Sequence, residues 1–492
     1  MAIFGLIFST YGYLILTATF VFLFVRRYLR RRQEPLGPFC FPFLGYLPFL
    51  FDKRQFQEIT TDLYKRYGPI CQVKIGQVPA VLLNSPDLIK EAMKRPDLIN
   101  HPRKIIPDVI AEAGEDRVIA ANGATWHKSR KVAVHALAQF ASSKNAKLEE
   151  NVHKCLDWLL KRWEDSNGEP VITKPDLSIC TTAVIASLSF GSQADPEDPF
   201  LAQASEIMGD FLGSGAEVAW IDDMFPSLSP FLKITKKKLV GKYREFVNYV
   251  MERVLAYEPN EEICTLVDSL YKTEAELPET EKKFFGENDI KRIAVDLYDG
   301  GFFTISESLE WLLLLMACYP EIQKKVQQEI DTNVNEDELP NMHEHWDKLA
   351  YSKACIMEEL RWVTSFAVGL PRLVEEDTEF AGYVLRKGTH IYSILWCANR
   401  DGSKFENQEK FSPDRFVEAD GSFNRVLAED VISFSAGRRR CPGESMAKQQ
   451  MFLMFTAIMQ HFDVKLDESS VSGDPLYGTE FRDWFKNKSV YT

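Results

Sequence analysis

Apolar and polar positions divide the chain into three unequal stretches. Ile3 to Val25 contains no charged residue, and Arg26, Arg27, Arg30, Arg31 and Arg32 follow at once. At about 1.5 Å per residue, an apolar helix of this length reaches roughly 34 Å, enough for the hydrocarbon core of a bilayer. Residues 1–25 therefore read as a transmembrane anchor. A cleaved leader would carry its basic residues ahead of the apolar run, and here they come after it. The positive-inside rule keeps those arginines, and the body behind them, on the cytosolic side. Residues 26–45 read as a basic and then Pro/Gly-rich hinge, since Glu34 to Gly45 shows no periodicity and behaves as a semi-rigid spacer. Residues 46–492 form the body.

Within the body, Ile70 to Ile75 and Val78 to Leu83 alternate or run apolar around Gly76-Gln77, which predicts a β-hairpin. From Pro86 onward the pattern is mainly helical, with few strands. Residues 168–291 hold several helices and long polar joins, among them Gln193 to Pro199 and Thr273 to Asn288; Lys233 and Lys236 to Lys238 read as a solvated face close to anionic lipid. Asp289 to Tyr319 is the longest clear helix. Gly300 and Gly301 weaken it by up to about 1 kcal/mol each relative to alanine, so something is expected to approach closely there. Gly382-Tyr383 and Lys387-Gly388 mark hairpin turns, and Ser445 to Gln460 is a final helical run. The fold class is mainly α with small β-sheets.

Composition narrows the function. The chain has 492 residues, 45% of them hydrophobic and 12% aromatic, which is ample for a large core. Nine scattered cysteines with no Cys-x-x-Cys pair argue against zinc ribbons and a disulfide framework, and for a reducing compartment. Net charge is −13, but residues 33–492 alone carry 53 basic against 71 acidic side chains, a net of −18. Such a body does not bind nucleic acid non-specifically. His343-Glu344-His345 lacks a third ligand and reads as surface rather than a metal site.

Chemistry concentrates near the C-terminus, where Phe434, Gly437, Arg439, Cys441 and Gly443 precede the last helical run. A cysteine ahead of a helix N-terminus has a favoured thiolate, able to act as nucleophile or metal ligand; a buried inert cysteine is the bland alternative. Trp126 and Arg130 stand at i and i+4 on one helix face, as do Glu358 and Arg361 at i and i+3. Alone, the first pair fits any amphipathic helix and the second an ordinary surface ion pair.

Taken in order, these motifs resemble the cytochrome P-450 superfamily, over essentially the whole chain. Asn288 to Trp311 and Tyr319 to Gln323 are most similar to the animal microsomal branch that includes drug-metabolising and steroid 17α-hydroxylase enzymes. The resemblance implies a single haem-thiolate catalytic domain over 46–492, with haem b as cofactor and Cys441 as axial ligand of the iron. It implies flat glycines against the porphyrin and Phe434 shielding the sulfur. It assigns Arg439, Trp126, Arg130 and Arg372 to the haem propionates, Phe366 to Leu370 to a lipophilic cavity wall, and Thr304 to a catalytic hydroxyl over the distal face. Glu358, Arg361 and Arg415 would form a buried bracing triad. The implied partners are a lipophilic small molecule, the membrane of the endoplasmic reticulum, an NADPH-dependent reductase and cytochrome b5. Arg438, Arg440, Lys128, Lys131 and Lys448 are the candidate docking cations.

One position departs from the pattern. Family monooxygenases carry an acid just before the threonine, whereas this chain has Phe303, which cannot carry a proton. Any relay must then run through Thr304, water and another acid such as Asp299. The same departure leaves open a second activity on the same fold: isomerisation or dehydration of a hydroperoxide or endoperoxide, with no reductase.

Overall fold

The computed structural model describes residues 17–18, 33–52, 55–102, 118–119, 121–141, 146–191, 195–213, 224–260, 263–283, 285, 289–301, 304–466 and 490–491. Nearly all of the expected anchor, the arginine run after it, and Phe303 lie outside the described residues.

The main core is helical. In the helix Ala146–Glu164, the buried residues Leu148, Val152, Cys155, Leu156, Leu159, Leu160 and Trp163 recur at three- and four-residue steps, forming one apolar stripe. The next helix, Thr173–Phe190, is buried almost all round, because helices pack on both sides of it. One continuous core joins these to the long helix Ser229–Ala256, the helices Asp289–Gly301 and Thr304–Cys318, the helix Ala350–Trp362 and the C-terminal helix Glu444–His461. Among the described residues, the stretch Asp289–Cys318 is the one helix long and apolar enough to cross a membrane, and most of it is buried inside the protein.

The sheets are small and contribute to two lesser cores apart from the main one. The strands β1 (Ile70–Ile75) and β2 (Val78–Leu83) form the expected hairpin, with Gly76 at φ +59° in its turn. Two later strands, β3 (Arg372–Leu373) and β6 (His390–Ser393), complete a sheet of order β1-β2-β6-β3, in which β2 and β6 run parallel. Between them, β4 (Thr378–Phe380) and β5 (Tyr383–Leu385) form a second hairpin across Ala381 and Gly382, both with positive φ as a two-residue turn requires.

The hinge is more firmly seated than a spacer. Leu36 O accepts from Gln72 N at 2.9 Å, Lys74 O accepts from Tyr46 N at 2.8 Å, and a Cβ on Gly37 would sit 1.7 Å from the Gln72 carbonyl oxygen. Leu36, Phe39, Phe41, Phe43 and Leu44 nevertheless face outward. On the helix Ser229–Ala256, Lys237 and Lys238 are exposed as expected.

Candidate functional site

The expected triad is present and buried. Arg361 makes a two-pronged pair with Glu358 at 2.7 and 2.8 Å, and Arg415 Nε donates to both Glu358 oxygens at 3.1 Å. Arg361 also donates to the carbonyls of Asn399, Gln408 and Lys410, so its charge is fully partnered. The helix Ala350–Trp362 is thereby fastened to the loop that precedes the cysteine segment. This is a brace and not a reacting group.

The Phe434 to Glu444 segment turns sharply. Ser435 and Gly437 both have φ +63°, and Cys441 N donates to Phe434 O at 2.9 Å. Gly437 is required by close packing: a Cβ there would stand 2.3 Å from the Met93 carbonyl oxygen. That carbonyl belongs to the helix Pro86–Lys94, so this glycine answers a protein neighbour, whereas a Cβ on Gly443 would meet nothing within 4 Å. Of the nine cysteines, Cys441 is the exposed one. Its thiol is accessible yet set among protein atoms, and desolvation raises its pKa despite the opposing N–H groups of Gly443 and Glu444 and the charge of Arg130. The helix terminus alone therefore does not ionise it, and a directly bound cation would. Cys397 is the contrasting case: buried in the sheet core beside Thr61, with its pKa pushed up to about 11 by burial.

A cationic cluster lies beside this segment. Arg439 lies over the Trp126 ring at 3.8 Å and donates to Ala121 O at 2.7 Å and Asn122 Oδ1 at 3.1 Å. Arg372 is buried against His101, whose Nδ1 meets Pro371 O at 2.9 Å. Asn122 ties the two halves together by accepting from His101 N and donating to His101 O, each at 2.9 Å. Burial, Arg439 and Arg130 push Arg372 down to about 9; burial, Arg372 and Arg439 push His101 down to about 2. Arg372 Nε and Trp126 Nε1 are buried donors without a hydrogen-bond partner. Donors this costly to bury fit an anion, and a group with two carboxylates matches them well.

Other expected residues fall differently. Arg130 donates to the carbonyl of Arg440, next to the thiol. Thr304 is half-buried, and its hydroxyl donates to Gly300 O at 3.3 Å. The close approach expected at the two glycines is found at Gly301, where a Cβ would meet Ile185 at 3.0 Å, while one on Gly300 would meet nothing within 4 Å. Asp299 accepts from Tyr243 Oη of the helix Ser229–Ala256 at 2.6 Å. Phe366 and Leu370 are exposed.

Three docking cations have acidic partners: Arg440 and Lys448 on Glu444, at 2.7 and 2.8 Å, and Lys131 on Glu281 at 3.0 Å. Arg438 is exposed. His345 is buried, contrary to the surface expectation, and its Nδ1 is satisfied by accepting from Asn341 N at 3.0 Å. Glu338 and Glu344 lie with it, and Asn341 bonds both of those segments.

Sequence reasoning missed His101 and Asn122. They carry no motif, and His101 meets Arg372 only because the chain returns after more than 270 residues.

A family model for cytochrome P450 matches residues 35–480. Mouse cytochrome P450 2J5 is 30% identical over 455 residues, covering 91% of this chain and 89% of the relative. Human cytochrome P450 2J2 is 29% identical over the same length, and mouse cytochrome P450 2D9 is 28% identical over 478 residues, 94% of each chain. The chain belongs to the cytochrome P450 family. It is accordingly a haem monooxygenase, an oxidoreductase whose iron is held by a cysteine thiolate.

Proposed function

We propose that this protein is a single-pass enzyme of the endoplasmic reticulum membrane, anchored by residues 1–25 with its catalytic domain in the cytosol. It places one oxygen atom from O2 into a lipophilic substrate such as a steroid or fatty acid, with electrons from NADPH delivered by a reductase and cytochrome b5 as a second donor. The observation that carries this reading is the one exposed cysteine, Cys441, standing beside a buried cationic cluster that includes donors with no partner.

Haem, when bound, supplies oxygen activation, and a thiolate ligand favours O–O cleavage. The residues of the chain do the rest. Cys441 would hold the iron through its thiolate, with Arg130 on the neighbouring carbonyl favouring the ionised form. Arg372, Arg439 and Trp126 would hold the haem carboxylates, with His101 bracing Arg372. Phe434 would shield the sulfur, and its carbonyl fixes the Cys441 backbone. Thr304 would present a hydroxyl able to pass protons to the reacting site. The outward apolar side chains between Leu36 and Leu44 would lie against lipid, and the apolar Phe366 to Leu370 stretch suits a lipophilic substrate.

Phe303 favours the second reading, isomerisation of a substrate that already contains an O–O bond. Two measurements separate them. Oxygen uptake with NADPH and reductase supports the monooxygenase, and turnover of a lipid hydroperoxide without NADPH supports the isomerase. Cys441→Ser should abolish the thiolate signature in the carbon-monoxide difference spectrum of the reduced protein; a retained signature would refute the ligand assignment.

A further inference from the structure

The helix Thr304–Cys318 carries Glu307 and Ser308 three and four residues after Thr304, so the three share one helix face. That face meets the helix Ala350–Trp362 at Glu359, the residue after the bracing Glu358. Glu359 is fully buried, and neither carboxyl oxygen has a well-formed hydrogen bond, Ser308 alone lying against it. Structural carboxylates in this protein look different: Glu358 accepts from both arginines and from Ser412 N. A carboxylate buried without well-formed hydrogen bonds is too costly to keep, so the group is held as the neutral acid. Burial, and after it the charge of Glu307, hold its pKa well above the usual carboxylate range, although Ser308 lies against it.

We propose that Glu359 and Glu307 together store the proton that Thr304 passes on, replacing the acid that this chain lacks at Phe303. Glu307 is half-buried and lies on the Thr304 face, whereas Glu359 is closed off behind it. The two acids just before the glycines are engaged elsewhere, Asp299 by Tyr243 Oη and Asp296 by Val118 N. Monooxygenation consumes one O2, two electrons and two protons per substrate and yields the oxygenated product and water. The reductase supplies the electrons, and the relay moves protons alone. The Glu359 O–H bond breaks as one forms on the Glu307 carboxylate. Glu307 then gives that proton to the Thr304 oxygen as the hydroxyl releases its own, and solvent restores the pair through Glu307. Glu307 is the charged group that acts on Glu359, and Ser308 is the hydroxyl beside it.

This inference rests on the Thr304 assignment, and the experiment separates the two. In the full-length holoenzyme, Glu359→Gln should remove a protonated-carboxyl infrared band seen at mildly alkaline pH. The control Glu310→Gln should retain it, because burial raises the Glu310 carboxyl only to about 7, leaving it ionised there. With reductase, Glu359→Gln and Glu307→Gln should each lower product formed per NADPH about tenfold, with hydrogen peroxide released instead. Their carbon-monoxide spectrum and substrate-induced spin shift should match the wild type. Persistence of the band in Glu359→Gln, or unchanged coupling in both variants, would overturn the store. Full coupling in Thr304→Val would instead remove the threonine as the acceptor, and with it the relay as drawn.

Discussion

At the scale of single residues, the decisive groups are those whose burial is unexplained by the protein around them. Trp126 Nε1 points into the cationic cluster without a partner. If it binds a propionate, Trp126→Phe keeps the ring under Arg439 but deletes a hydrogen bond to a charged group. Such a bond is worth about 1.5–3 kcal/mol, so haem transfer to apomyoglobin should quicken by roughly tenfold or more. Glu310 offers a different test. Its carboxyl is buried near Lys174, at 3.4 Å, and burial outweighs that lysine to raise its pKa to about 7. The folded state therefore holds a proton more tightly than the unfolded chain. The stability this contributes is complete below the ordinary carboxylate pKa and is lost as pH rises towards 7. Relative to Glu310→Gln, the wild type should gain stability on going from pH 7 to pH 4.5, by up to about 1.4 kcal/mol per pH unit. Denaturant melts of both proteins across that range would check the sign.

At the scale of elements, the two helices and loops around Glu358 and Gly437 depend on long-range fit. Glu358→Ala would leave Arg361 and Arg415 buried with their shared carboxylate gone, which should cost about 3–5 kcal/mol and show as a large fall in the unfolding midpoint. Gly437→Ala forces a side chain into the Met93 carbonyl at positive φ. A loss of about 1–3 kcal/mol is expected, with lower haem content after purification. These elements also show what the sequence could and could not reveal. The hairpin Ile70 to Leu83 was readable because its pattern and its turn are local, and Glu358 with Arg361 because both lie on one helical turn. The reason for Gly437 was not, since the Met93 carbonyl comes from a helix that ends more than 340 residues earlier. Glu359 was hidden for a related cause. Beside Glu358 it looks like a second half of an acidic pair, and only the packing of the helix Thr304–Cys318 against it shows that one glutamate is braced and the other is not. His101 and Asn122 gave no spacing signal at all.

At the scale of the whole molecule, a body of net charge −18 must still meet an acidic redox partner if the proposed electron supply is right. Local fields, not net charge, govern such an encounter. The arginines and lysines around Cys441 are not equivalent in this respect. Glu444 is buried enough that its pKa would rise, yet Arg440 and Lys448 together hold it below the usual range. Those two cations are therefore spent largely on an internal acid, and reversing either would disturb the cysteine segment itself. Arg438 is exposed two residues from Arg440 and is the cleaner probe. Arg438→Glu should slow reductase-supported turnover several-fold at low ionic strength, where exposed charges act over about 10 Å or more, and the deficit should shrink as salt is added. Peroxide-driven turnover, which bypasses the reductase, should be unchanged in the same variant. Equal loss by both routes would mean that Arg438 supports the cysteine segment, and would shift the docking face elsewhere on the molecule.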